Sequence, residues 1–149
     1  MSDNDSSRYI KPDISLLNEE HVKRYRETGG KIGHIWNGAT ALLLTTIGNK
    51  SGEPRTTPLI YAQDGSDYIV VASKGGAPNH PAWYLNVSKN PEVEIQVKDR
   101  VMRATATTVE GRERERLWKL ATDVWPNYDQ YAERTKRRIP VVKITPRGA

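Results

Sequence analysis

The sequence predicts a mainly β fold with flanking helices: a small six-stranded antiparallel barrel. Three observations carry the prediction. Six short segments are apolar or strictly alternating, most are joined by hairpin-type turn signals, and helices are interspersed among them in a way that argues against a doubly wound sheet.

In chain order, residues 1–13 read as a flexible tail and 14–149 as one domain. Residues 14–28 read as a helix with Leu17, His21 and Tyr25 on one side, stopped by Gly29-Gly30. The run Ala41–Thr46 is a buried strand. A turn at 48–53 leads to a strand at 55–61, and Pro58 places that strand at an edge or a bulge because it has no N–H to donate. Asp64-Gly65 signals a hairpin into the strand Tyr68–Ala72. A helix follows at 81–88 and ends at Asn90-Pro91. Residues 92–97 alternate strictly, and Lys98-Asp99 turns them into a partner strand at 101–109. Leu117, Leu120, Ala121 and Val124 mark an amphipathic helix over 112–124, which Trp125-Pro126 breaks. Tyr128 and Tyr131 sit on a short following helix, and 139–144 is the last strand.

The composition narrows the function. At 149 residues the chain is long enough to bury one core, with 36% hydrophobic and 28% charged residues. It has no cysteine, which removes disulfides, thiolate nucleophiles and cysteine metal sites and is compatible with a reducing compartment. No stretch approaches ~20 apolar residues, and the polar, acidic start is unlike a secretory signal. The chain is therefore read as cytoplasmic, with at most peripheral membrane contact through residues 1–40. A net charge of +5 favours anionic partners in general. Residues 110–119 alternate in sign, however, which is the pattern of a solvated helix face and speaks against nucleic acid.

The candidate site begins at Ala72-Ser73-Lys74-Gly75-Gly76. There a buried strand delivers a lysine onto two glycines, just before a helix entered through Pro81 with Trp83 and Tyr84. Glycines allow close backbone approach, lysine offers a point charge, and a helix start presents N–H groups to an anion. The hairpin at 48–57 adds Lys50, Ser51, Arg55 and Thr57, residue types that wrap a phosphate. Tyr128 and Tyr131, three residues apart, share a helix face and read either as barrel packing or as an aromatic lid. The three histidines are far apart in sequence, there is no G-x-S-x-G, and no metal-ligand spacing occurs. An enzyme built this way takes its reactivity from a bound cofactor.

Residues 43–55, 72–76, 81–86 and Trp125-Pro126-Asn127-Tyr128-Asp129-Gln130-Tyr131, with Ile139-Pro140-Val141-Val142, closely resemble the deazaflavin (F420)-dependent nitroreductase family of actinobacteria. The resemblance runs from about residue 20 to the C-terminus. It implies a split β-barrel, similar to the FMN-binding split barrels, that binds coenzyme F420. It also implies hydride transfer from reduced F420 to an electron-poor acceptor: a quinone, a nitroaromatic or nitroimidazole, or an activated enone. Carried over by position, the phosphate and tail lie against Asn49, Lys50, Ser51, Arg55 and Lys74, with Thr56 beside them. The ring lies along Thr57, Pro58, Leu59, Ile60, Val71, Ala72 and Ser73, closed on the other side by Ala82, Trp83, Tyr84, Leu85 and Asn86. Tyr128 and Tyr131 face the acceptor, and Ser73 helps to polarise it. Asn49 stands where the family's loop commonly carries arginine, and Trp125 and Ile60 stand where reducers of bicyclic nitroimidazoles tend to carry tyrosine.

The residues leave other readings open: a split barrel holding FMN or haem, or a non-catalytic F420 carrier. The acceptor is a small molecule on the main reading. Oligomeric state stays open, because the alternating strand 92–97 suits either water or a partner.

Overall fold

The computed structural model describes residues 19–147; the tail and the first residues of the expected 14–28 helix lie outside them. The elements are α1 (Glu19–Thr28), β1 (Ile35–Trp36), β2 (Ala39–Ile47), β3 (Pro54–Ile60), β4 (Ala62–Asp64) and β5 (Asp67–Val71). A 3-10 turn at Lys74–Gly76 precedes α2 (Ala82–Lys89), β6 (Glu92–Val97), β7 (Arg100–Thr108), α3 (Gly111–Val124), α4 (Asn127–Glu133) and β8 (Val141–Pro146).

All ladders are antiparallel, in the order β1-β2-β6-β7-β8-β5-β4, with β3 beside β2. The expected strand at 55–61 is two strands. β3 pairs with β2, while β4, reached through Tyr61, pairs with β5 at the far end of the sheet. The bend at Tyr61 is held by Thr40, whose carbonyl accepts the Tyr61 N–H at 3.0 Å and whose hydroxyl donates to the Tyr61 carbonyl at 2.9 Å. This one segment closes the sheet into a barrel and leaves β3 and β5 splayed apart beyond the bend. The sheet thus has eight strands where six were expected, the extra pieces being β4 and the two-residue β1. Pro58 sits opposite Leu43 in β3, whose one ladder partner is β2; the missing N–H is harmless on that open edge.

Alternation sorts side chains into two buried layers. Leu42, Leu44, Val70, Ile95, Val142 and Ile144 fill the barrel with Trp83 and Val87 of α2. On the outside, Leu117 of α3 packs on Ile69, Val109 and Val141, and its full burial contributes roughly 1.5–3 kcal/mol. β6 shows the expected half-wet pattern, with Glu92 and Glu94 exposed and Val93, Ile95 and Val97 buried.

α1 ends where Gly30 donates to the Tyr25 carbonyl at 2.9 Å, in a left-handed conformation (φ 84°). Tyr25 in turn fastens α1 to the barrel: its hydroxyl donates to the Ala41 carbonyl at 3.0 Å and accepts the Lys98 N–H at 2.8 Å. Among the described residues no helix is long and apolar enough to cross a membrane.

Candidate functional site

The splay between β3 and β5 opens a cavity of about 370 Å³. One wall is the open edge of β3, from Thr57 to Ile60. The opposite wall is the end of β5 and the turn beyond it: Val71, Ser73, Lys74 and Gly75. Pro81 and Trp83 at the start of α2 close one end, while Trp36, Trp125, Tyr128 and Tyr131 form an aromatic cover. An edge strand leaves alternate backbone N–H and C=O groups without a ladder partner, so β3 offers the cavity main-chain donors and acceptors as well as apolar side chains.

The aromatic cover is a packed layer rather than a loose flap. Trp36 and Trp125 meet at 5.4 Å between ring centres, and Tyr128 and Tyr131 meet edge to face at 6.2 Å. Tyr128 and Tyr131 therefore pack in the buried aromatic layer and also line the cavity. Trp125 donates to the Tyr131 hydroxyl at 3.4 Å. The Tyr128 hydroxyl has no hydrogen-bond partner among the described residues. Burial, and then the neighbouring Tyr131, raise its pKa well above the usual phenol range, so it is a neutral donor at any working pH. Trp36 also carries a buried indole N–H without a partner. An unspent Tyr128 hydroxyl beside an apolar slot suits a flat ligand with an acceptor atom on its rim.

The turn that carries Lys74 is left-handed at three successive residues, with φ 46° at Lys74, 62° at Gly75 and 83° at Gly76. Gly76 is obligatory: a Cβ there would lie 2.6 Å from the Tyr131 carbonyl oxygen. Lys74 is exposed and without a salt-bridge partner among the described residues. His80, half-buried behind the turn, has its pKa lowered by burial and then by the Arg137 charge.

Of the residues the sequence nominated, Thr57, Pro58, Leu59, Ile60, Val71, Ser73, Lys74, Trp83, Tyr128 and Tyr131 line this cavity. Asn49, Lys50, Ser51, Arg55, Thr56, Ala72, Ala82, Tyr84, Leu85 and Asn86 do not. Several of these are spent on the fold. The Asn86 side chain accepts the Asn49 N–H at 2.8 Å and donates to Thr46 Oγ1 at 3.0 Å, stapling the 48–53 loop and the end of β2 to α2. Thr56 is bonded to Arg26 and Thr45, each at 2.8 Å, and Tyr84 to Thr108 at 3.0 Å. Ala72 is fully buried, and Ser51 Oγ accepts the Glu53 N–H. Ala82 and Leu85 face solvent.

Lys50 and Arg55 lie on the stapled hairpin beyond the cavity rim, with Arg55 on the strand face it shares with Thr57 two residues along. Gly75 and Pro81, from the candidate turn and helix entry, and Trp125 also line the cavity; Trp36 is a lining residue that the sequence had not placed in the site. A signal for Trp36 was present: Asn37-Gly38, both at positive φ, forms the two-residue turn that pairs Trp36 with Ala39.

Comparison with known proteins assigns the family. Residues 17–146 match the family model described as F420H(2)-dependent quinone reductase. The chain belongs to that family. It is an oxidoreductase, its cofactor is coenzyme F420, and its substrate is a small molecule. The F420H(2)-dependent quinone reductase of Mycobacterium tuberculosis (strain ATCC 25618 / H37Rv) is 44% identical over 148 residues, covering 96% of this chain and 99% of that protein. A solved F420-H2 dependent reductase (FDR-A) is 47% identical, with a TM-score of 0.66 over 70% of this chain and 92% of that one. The heme storage protein HutZ from Vibrio cholerae shares the fold alone, at 16% identity and a TM-score of 0.60 over 88% of this chain and 91% of that one.

Proposed function

We propose that the cavity between β3 and β5 seats the deazaflavin ring of F420 and that a quinone is reduced against its aromatic cover. The observation that carries this is the pairing of an apolar slot with the unpartnered Tyr128 hydroxyl and a salt-bridge-free Lys74 at the mouth. F420 combines a flat ring bearing polar rim atoms with a polyanionic tail, and each part has a counterpart here. The β3 edge and Ser73 would bond the rim, Lys74 would meet the phosphate, and Lys50 and Arg55 on the 48–55 hairpin would hold the tail.

When bound in its reduced form, the cofactor supplies a hydride. The protein's share is positioning, exclusion of water and charge stabilisation. A quinone taking up a hydride gains negative charge on oxygen and then one proton. Tyr128 is too weak an acid to be that proton's source, so its hydroxyl hydrogen-bonds the developing oxyanion and solvent delivers the proton. Trp125, Trp36 and Tyr131 hold the quinone by stacking.

The test is a fluorescence titration of the purified protein with F420, followed by steady-state oxidation of reduced F420 with a menadione-type quinone. Binding with turnover is expected. Binding without turnover over a panel of quinones, enones and nitroaromatics would make the protein a carrier, and tight FMN binding without F420 binding would overturn the assignment.

A further inference from the structure

On leaving β5 the chain makes one last sheet-like bond, from the Ala72 N–H to the Pro140 carbonyl at 2.9 Å, and then turns away. Inside the turn, Gly76 donates to Ser73 O at 2.9 Å and Ala77 to Lys74 O at 3.1 Å. Neither bond uses the carbonyls of Ala72 and Ala77, and a left-handed Lys74 is not a conformation the residue favours on its own. Another group has to hold the segment in place.

That group is Arg137, in the segment between α4 and β8. Its Nε donates to Ala77 O at 2.8 Å, Nη1 to Ala72 O at 3.2 Å and Nη2 to Ser73 O at 2.7 Å. Nη1 also lies 3.0 Å from His80 Nδ1. One rigid fork thus spans both ends of the turn, with its nitrogens committed to the 72–80 segment rather than to a ligand. Arg134 adds a longer bond, 3.4 Å, to Gly75 O.

We propose that Arg137 is a positioning residue: by collecting the carbonyls of Ala72, Ser73 and Ala77 it fixes the direction in which Ser73 and Lys74 enter the cavity. The assignment of Lys74 to the cofactor's phosphate rests on the function proposed above; the clamp itself does not. A lysine at 137 would keep the charge but lose the planar fork, so the role is specific to guanidinium.

The experiment compares wild type, R137A, R137K, K74A and K74A/R137A. In the F420 titration R137A weakens binding by about tenfold or more, and R137K stays within about threefold of R137A. The double variant is no weaker than about threefold below the poorer single one, because Arg137 acts through Lys74. Rescue by R137K, or multiplication of the two single losses, would reduce Arg137 to a general positive charge and overturn the proposal.

Limited trypsin digestion without cofactor reads the clamp independently. Cleavage after Lys74 should accelerate by about tenfold in R137A while cleavage after the exposed Lys50 stays unchanged. Unchanged cleavage after Lys74 overturns the proposal. Should wild type fail to bind F420, the function falls and the digestion still decides the clamp; should R137A not fold, R137K carries both measurements.

Discussion

Replacing Tyr128 by phenylalanine removes one oxygen and keeps the ring. The side chain is 5% exposed and its hydroxyl has no protein partner among the described residues, so the change orphans no donor or acceptor. Folding stability should therefore move by less than about 0.5 kcal/mol. The effect should appear in the reaction instead. A hydrogen bond to a group acquiring charge contributes about 1.5–3 kcal/mol, which corresponds to a fall of roughly 10- to 150-fold in kcat. Because the bond forms as charge develops, F420 affinity should stay within about twofold.

The assay is absorbance-monitored oxidation of reduced F420 by a quinone, with the cofactor Kd taken from fluorescence and stability from denaturant melts. A kcat within about twofold of wild type would refute the reasoning, as would a loss of F420 affinity as large as the loss of rate. Tyr25→Phe is the matched control. It deletes the same atom but strips the Lys98 N–H and Ala41 carbonyl of their partner, so it should cost about 1–3 kcal/mol of stability.

Three further outcomes are expected. Asn86→Ala removes one bond that holds the 48–53 loop to α2 and one that holds the end of β2 to it, and should lower stability by about 2 kcal/mol and weaken F420 binding, checked by denaturant midpoint and titration. Gly30→Ala puts a Cβ 2.5 Å from Lys98 Cα at a φ of 84°; backbone cannot give way there, so a loss above about 2 kcal/mol is expected by calorimetry. His80, at half-burial beside Arg137, resists a proton that the unfolded chain takes up below its ordinary pKa of 6.5. The native form should accordingly lose stability as pH falls below that value and level off once the pH is below the lowered native pKa. His80→Asn should flatten this part of the pH profile of both melting temperature and F420 affinity, and an unchanged slope would remove His80 as its source.

Local chemistry made some features readable. The strict alternation of 92–97 became β6, Asp64-Gly65 became the β4–β5 turn, and Gly29-Gly30 ended α1. In the site, Lys74-Gly75-Gly76 and the Tyr128/Tyr131 pair were visible because a left-handed turn and a helical spacing leave marks within a few residues. Asn37-Gly38 left such a mark as well, and reading it would have placed Trp36. The assignment of cofactor came from whole-motif resemblance, since apolar strands and scattered cations alone suit several ligands.

The amino-acid order by itself thus determined most of the strands and the main turns and helix stops, because hydrophobic period and turn chemistry act over short separations. Tertiary structure alone decided where the barrel closes and where it splits. The bend at Tyr61 depends on Thr40, the β5–β8 ladder joins Val70 to Val142, and the turn at Lys74 depends on Arg137. Those partners are distant in sequence, and a hydrogen bond or packed ring depends on proximity in space, which no local pattern encodes.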